Sequence, residues 1–344
     1  MYKRQVQARR RTEIVRVIKH PYGRCENVMG WITTLTQDTD ALELQISKPS
    51  FRYKPGQWLF LNVPSVSKHQ WHPFTITSCP FDPYISVHIR QVGDFTRDLA
   101  SAIGAGKAQA GLYDELDPHG IYEVALAQGE VMPAIRIDGP YGAPAEDVLD
   151  NEVAVLIGTG IGVTPWAAIL KNIWHMRSMP NPPTRLRRVE FIWVCKDTTS
   201  FEWFQALLAS LEAQSLAEAS SSATHDGAPR AEFLKIHTYL TQKMDVDAAN
   251  NIFLNSVGSQ KDPLTELNSR TNYGRPDFEK LLGTMREGIL SQEYAEGCDL
   301  GSRGKRTNVG VYFCGPNAAA RDIERACKAA TVSEVRFRFW KEHF

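Results

Sequence analysis

Residues 158–165 read GTGIGVTP: Gly158, Thr159, Gly160, Ile161, Gly162, Val163, Thr164 and Pro165. The apolar run VAVLIG leads into this turn and an amphipathic stretch follows it. A glycine turn between a strand and a helix presents free N–H groups at the positive end of the helix dipole, a seat for phosphate. Thr164 is placed to cap the helix, and Pro165 suits its first turn. Val163 stands where G-x-G-x-x-G has its third glycine, so the match is incomplete. CGPN repeats the logic at Cys314, Gly315 and Pro316. Gly315 lets backbone approach a flat ligand and Pro316 fixes the turn, while Cys314 reads as a reactive group or as a small buried hydrophobe. Two such turns at the carboxyl edge of one sheet would hold a dinucleotide across its switch point. Lys196 in WVCKD and Arg275 in YGRPDF suit a 2′-phosphate, which favours NADP over NAD; Asp197 argues the other way.

A second constellation lies nearer the start. HPFTITS places His72, Pro73, Phe74, Thr75, Ile76, Thr77 and Ser78 in one run. Pro73 fixes the backbone, Phe74 offers a ring to stack on a planar heterocycle, and Thr75 supplies a hydroxyl at its edge. VHIRQVGDFT adds His88, Ile89 and Arg90, then Gly93 and Thr96 at a helix start that suits a pyrophosphate. A flavin dinucleotide needs these same parts.

The elements that must position these residues fall into two kinds. Glu13–Ile18, Ala41–Ile46, Gln57–Val63, Phe74–Ser78, Tyr84–Arg90 and Ala134–Asp138 are short, rich in β-branched or aromatic residues, and mostly bounded by turn formers. They predict a small antiparallel barrel. One helix is expected over Thr96–Ile103, with an irregular insertion at 104–130. DGPYGAPAEDVLDNE, residues 138–152, marks a break, giving a first domain at 1–148 and a second at 149–344. After it the pattern alternates strand and helix. VAVLIG, RVEFIWVC, FLKIHTYL, VGVYFC and VRFRFW are the strands; Trp166, Ile169, Leu170, Ile173 and Trp174 form a core-facing helical stripe. Helices are also expected in SFEWFQALLASLEAQ and over Asn317–Ala330, with a flexible loop at 215–230. The fold class is thus a flavin-type β-barrel followed by a doubly wound parallel α/β domain.

Composition bounds the remainder. At 344 residues the chain fits about two domains of ~150 residues. Lys+Arg and Asp+Glu are equal at 39, so no global field draws the chain to nucleic acid. Six scattered cysteines without C-x-x-C point to a reducing compartment and no metal site. No apolar run approaches the ~18 residues of a membrane helix and no signal peptide is evident, so a soluble, cytosol-facing chain is expected. Lys3, Arg4, Arg9, Arg10, Arg11, Arg16 and Lys19 make a basic N-terminus that reads either as a solvated end or as a segment facing anionic lipid.

The order HPFTITS, HIRQVGDFT, DGPYG, GTGIGVTP, WVCKD, YGRPDF, CGP and terminal FWKEHF resembles the dehydrogenase half of the NADPH oxidases, the fungal branch above all. The resemblance spans nearly the whole chain. It implies FAD held by residues 72–78, His88, Ile89, Arg90 and Thr96, and NADPH held by residues 158–165, Lys196, Arg275 and Cys314–Pro316. Thr75, Cys314 and the terminal Phe344 are the implied catalytic positions, Phe344 as a ring on the exposed flavin face. It further implies electron transfer to haems in transmembrane helices absent from this sequence, superoxide as product, and a place on the cytosolic face of a membrane. Cytosolic activator proteins and a small GTPase are the implied partners. Stretches 22–40 and 104–130 exceed the family core. A ferric-chelate reductase module shares the architecture, and a regulatory docking surface built on the 215–230 loop and the basic N-terminus is the reading from another class.

Overall fold

The structure is a computed structural model and describes residues 10–12, 14–20, 41–47, 51–103, 113–115, 122–124, 132–179, 184–196, 202–221, 232–241, 261–262, 264–265, 267–291 and 306–342. Two compact units divide the chain, Met1–Ala143 and Pro144–Phe344. The expected boundary after residue 148 falls inside the 3-10 turn Pro144–Asp150.

Among its described residues the first unit holds nine strands: β1 (Arg10–Thr12), β2 (Ile14–His20), β3 (Ala41–Ser47), β4 (Trp58–Asn62), β5 (His72–Thr75), β6 (Tyr84–Arg90), β7 (Tyr113–Glu115), β8 (Tyr122–Val124) and β9 (Ile135–Tyr141). They form two antiparallel sheets, ordered β1-β9-β4-β5 and β6-β3-β2-β8-β7, with a bridge from Ile76 to Val87 joining one to the other. Period-2 alternation explains the core: Leu42, Leu44 and Ile46 of β3, Leu59 and Leu61 of β4, and Ile85, Val87 and Ile89 of β6 all turn inward. Helix α1 (Asp94–Ala102) adds Phe95, Leu99 and Ala100. It starts two residues earlier than expected. The insertion at 104–130 contains β7 and β8 rather than irregular chain alone, and its other residues lie outside the described ones, as does 22–40. Strand β5 begins at His72, two residues before the expected Phe74, and so includes Pro73. Its place at the sheet edge accounts for this, since proline cannot donate to a ladder.

Among the described residues of the second unit six parallel strands run in the order β13-β12-β11-β10-β14-β15. They are β10 (Val153–Thr159), β11 (Arg188–Cys195), β12 (Leu234–Leu240), β13 (Asn272–Tyr273), β14 (Thr307–Cys314) and β15 (Val335–Glu342). Central β10, β11 and β14 are almost wholly buried, as strands covered on both faces must be. Helices α4 (Phe278–Leu290) and α5 (Asn317–Ala330) cover one face through Leu282, Met285, Ile289, Ile323 and Ala326. Helices α2 (Thr164–Arg177) and α3 (Glu202–Ser221) pack together, with Val189 and Leu234 between them. Sequence order reverses between β10 and β14, which makes their carboxyl ends the switch point. Two expectations need correction. Helix α3 runs on to Ser221, so the first part of the 215–230 stretch is helical because Leu211, Glu212 and Ser215 are buried along it; residues 222–230 lie outside the described ones. Thr164 is already helical and makes no capping bond, because the 3-10 turn Gly160–Val163 flows directly into α2.

Candidate functional site

In the first unit, edge strand β5 and its continuation lay the HPFTITS residues beside β6 and α1. The His72 ring stacks on Phe95 at 3.8 Å, and burial pushes its pKa below the ordinary 6.5. Its Nε2 is buried without a hydrogen-bond partner. Pro73 is exposed, Phe74 is half-buried with part of its ring on the core, and Thr75 is buried opposite Trp58.

The next hydroxyls turn inward. Thr77 Oγ1 lies 2.8 Å from Ser86 Oγ and 2.8 Å from His88 Nδ1. Tyr53 donates to the Cys79 carbonyl at 2.8 Å, so the Ser78 hydroxyl donates to Tyr53 across 2.7 Å and accepts the Ser86 N–H at 2.9 Å. Side chains of Thr77, Ser78 and His88 thus stitch β5 to β6, and those of Ile76 and Ile89 belong to the core. For these residues only backbone remains to meet a ligand.

Arg90 ends β6 exposed, and Gln91 Nε2 beside it is a second buried, unpartnered donor. Thr96 Oγ1 accepts the N–H groups of Val92 (3.1 Å) and Gly93 (3.0 Å) and donates to Gly93 O. That bond set closes the loop ahead of α1, so Thr96 shapes the turn while the Arg90 side chain stays exposed. Of the three orphaned atoms among the described residues of this unit, Asn62 Oδ1 lies apart in β4, and His72 Nε2 and Gln91 Nε2 fall in the two stretches expected to hold the flavin. A bound polar ring and phosphate would complete these two, and in that sense the residues fit FAD.

The second unit brings its two glycine turns together. A Cβ on Gly162 would sit 2.5 Å from the Cys314 carbonyl oxygen, and one on Gly315 would run into Thr159 Oγ1. Thr159 Oγ1 reaches Cys314 O at 3.4 Å, and Trp193 Nε1 holds Gly160 O at 3.2 Å. Gly160 takes φ +55°, a left-handed conformation with open space around it. Gly158 is hemmed by Trp166 Nε1, a buried donor without a partner. Val163 fills the third-glycine position as a buried apolar side chain, and Ile161 and Thr164 stay half-exposed. Pro165 occupies the first turn of α2 as expected. Gly315 and exposed Pro316 lead into α5. The backbone cradle and the helix start behind it fit an extended dinucleotide.

Burial raises the Cys314 thiol to about 12, so it stays protonated, a donor or packing group and no nucleophile. Lys196 and Arg275 follow β11 and β13, both exposed and neither in an ion pair among the described residues. Asp197 and Phe344 lie outside the described residues.

Two residues were missed in the sequence. Glu342 ends β15 in register with Cys314, only 3% exposed, and accepts the Ala145 N–H at 2.8 Å. Burial outweighs that bond, with help from nearby Glu146, and raises the carboxyl from 4.5 to about 7. It can therefore hold a proton near neutrality beside the thiol. Tyr273 is the other, a ring 54% exposed two residues before Arg275. A charged residue closing an apolar strand and an aromatic beside a cation were the available signals.

Residues 27–145 match the FAD-binding domain family, and residues 151–328 match the family described as the ferric reductase NAD binding domain. A superoxide-generating NADPH oxidase heavy chain of Dictyostelium discoideum is 33% identical over 305 residues, 88% of this chain and 51% of that protein. NADPH oxidase 3 of Homo sapiens is 33% identical over 334 residues, 96% of this chain and 48% of that one. Among solved structures, a ferredoxin-NADP+ reductase from Plasmodium falciparum is similar at TM-score 0.47 and 12% identity, covering 89% of this chain and 91% of that one. The chain spans about half the length of the curated relatives it matches.

Proposed function

The chain belongs to the NADPH oxidase family of FAD- and nicotinamide-dependent oxidoreductases, and we propose that it is the dehydrogenase module that takes a hydride from NADPH onto FAD. The observation that carries this reading is the interlock of the GTGIG and CGP turns at the switch point of the six-stranded sheet. FAD, when bound, supplies the step from a two-electron hydride to single-electron transfer. The chain's own residues do the rest. Gly158, Gly160 and Gly162 open backbone N–H groups to the pyrophosphate of NADPH, and α2 lends its positive end. Lys196 and Arg275 hold the 2′-phosphate by charge-assisted hydrogen bonds. Arg90 takes the flavin phosphate, Phe74 lies against the flavin ring, and Thr75 meets its edge. Cys314 stays protonated beside the turn and places no negative charge where the hydride leaves, and Glu342 does the same only below about pH 7.

In the longer protein this module passes electrons to a membrane haem domain and on to dioxygen, with superoxide as product. No helix among the described residues is long and apolar enough to cross a membrane; this reading assigns the haem domain to another part of the longer protein and puts this module on its cytosolic side. Cytosolic activators, a small GTPase and anionic lipid at the basic N-terminus are the partners of this reading. The match of residues 151–328 favours a second acceptor, a ferric chelate. Anaerobic mixing of the FAD-loaded chain with NADPH or NADH, followed by flavin absorbance, tests the core of the proposal. Bleaching by NADPH well ahead of NADH is expected. No FAD uptake, or no bleaching by either nucleotide, would refute it.

A further inference from the structure

Between β12 and α4 the chain passes through residues 261–275, where β13 is its only strand among the described residues, and two buried carboxylates organise the stretch. Asp262, 3% exposed, gathers five hydrogen bonds. Its Oδ1 accepts from the N–H groups of Leu264 and Thr265 and the hydroxyls of Thr265 and Thr271, each at 3.0 Å. Its Oδ2 accepts the Thr271 N–H at 2.8 Å. Glu212 of α3, 5% exposed, does the same for the middle of the stretch. It accepts Asn268 N–H at 2.6 Å and Asn268 Nδ2 at 3.1 Å, and Ser269 N–H at 2.8 Å and its hydroxyl at 2.5 Å.

The fastening continues one residue at a time towards the sheet. Thr271 Oγ1 lies 3.2 Å from Thr238 Oγ1, and Asn272 Nδ2 donates to Thr238 O at 3.2 Å. Tyr273 sits in register with Leu240, and Gly274 donates its N–H to Leu240 O at 2.8 Å. Gly274 then turns the chain at φ +95°, and the next residue is the exposed Arg275. A surface arginine is ordinarily free to wander, and ordering it on binding takes up part of what its bonds return. Here the backbone from 271 to 274 is fixed before any ligand arrives.

We infer that Asp262 is a positioning residue for nicotinamide selectivity: its hydrogen-bond hub presets the backbone that carries Arg275 to the 2′-phosphate, and Asp262 itself touches no cofactor. This rests on the reading of the NADPH site above. The hub acts only through a group that meets the 2′-phosphate, so its loss should weaken NADPH and leave NADH alone. Loss of the charged bond from Arg275 sets the ceiling at about ten- to a hundredfold, and the hub should account for roughly three- to tenfold of it.

The test is titration of NADP+ and NAD+ against the FAD-loaded full chain in five forms: parent, Arg275→Ala, Asp262→Asn, Thr271→Val and the double variant Asp262→Asn with Arg275→Ala. Asp262→Asn keeps an oxygen at Oδ1 and turns an amide NH2 against the Thr271 N–H. Thr271→Val leaves the aspartate intact and removes one donor, which keeps the test alive should the first variant fold poorly. Support is a loss for NADP+ with NAD+ within twofold, which disappears when Asp262→Asn is placed in the Arg275→Ala background, together with faster amide exchange at Leu264, Thr265 and Thr271. Equal losses for both nucleotides would reduce Asp262 to a stability residue and overturn the inference. So would unchanged NADP+ affinity in both variants while Arg275→Ala alone weakens it, and the site reading would then survive. If Arg275→Ala leaves the NADP+ to NAD+ ratio untouched, the site reading fails and the inference falls with it.

Discussion

Replacing Gly162 by alanine puts one methyl group between the two turns that define the nucleotide site. Its Cβ would lie 2.5 Å from the Cys314 carbonyl oxygen and 3.0 Å from its carbon, whereas ordinary contact begins at 3.4 Å. Both neighbours are backbone, so no side chain can swing away. The turns must part by roughly 0.9 Å, and a misplacement of about 1 Å at a reacting centre is worth on the order of 10²-fold in rate. Neither turn lies in the apolar core that α4 and α5 cover, so the fold should survive with a modest drop in Tm. Gly160→Ala is the matched control. Nothing lies within 4 Å of a Cβ there, and its positive φ should cost about 1–2 kcal/mol of stability without parting the turns. Stopped-flow flavin reduction across NADPH concentrations separates the two. Gly162→Ala should lose about a hundredfold in kcat/KM, and Gly160→Ala far less. If Gly162→Ala matches the parent within twofold at an unchanged Tm, the two turns do not act as one cradle.

Three other outcomes follow from the same geometry. Phe74→Ala should lose FAD on gel filtration while Tm falls modestly, since the ring is only half-buried; stoichiometric FAD with a collapsed Tm would assign the ring to the core. Glu342→Gln keeps an acceptor for the Ala145 N–H but carries no charge. Folding raises the Glu342 carboxyl from 4.5 to about 7, so the folded state binds the extra proton and stability falls as pH rises from 4.5 to 7. The variant should be the more stable at pH 8, by at most roughly 3 kcal/mol, and urea melts with identical pH slopes would contradict this. Glu190 is fully buried between Arg188 Nε at 2.7 Å and His237 Nε2 at 2.6 Å, near the amino end of β11 and the middle of β12. Glu190→Ala should cost about 3–5 kcal/mol by taking the acceptor from His237 and the ion pair from Arg188, which keeps its bond to Glu232 O, with NADP+ affinity of the folded protein unchanged by calorimetry.

What could be read in the sequence follows the reach of each constraint. Glycine and proline limit backbone angles locally, so the turns at 158–165 and 314–316 stood out from residue types alone, and both lie at the switch point. Strands covered on both faces leave nearly continuous buried runs, which made β10, β11 and β14 legible nearly to the residue, and period-2 alternation did the same for β12 and β15. Two-residue β13 leaves no such run. Helix α4 carries legible signals: Asp277 accepts the Lys280 N–H as an N-cap, and Leu282, Met285 and Ile289 recur at three and four. Destinations of polar side chains are another matter. The hydroxyls of Thr77 and Ser78 look as available as that of Thr75, yet partners 8 to 25 residues away claim them. Glu342 reads as a surface charge until register places it beside Cys314 and the Ala145 N–H, 197 residues away in the chain, takes its oxygen. Asp262 has local donors, but one aspartate among polar residues resembles any loop until the burial of its carboxylate is known. Motifs therefore report where a cofactor's backbone-facing parts go, while the groups that tune selectivity and protonation rest on long-range burial. In this chain the hub at Asp262 and the carboxyl of Glu342 are such groups, and both lie outside every quoted motif except the terminal one.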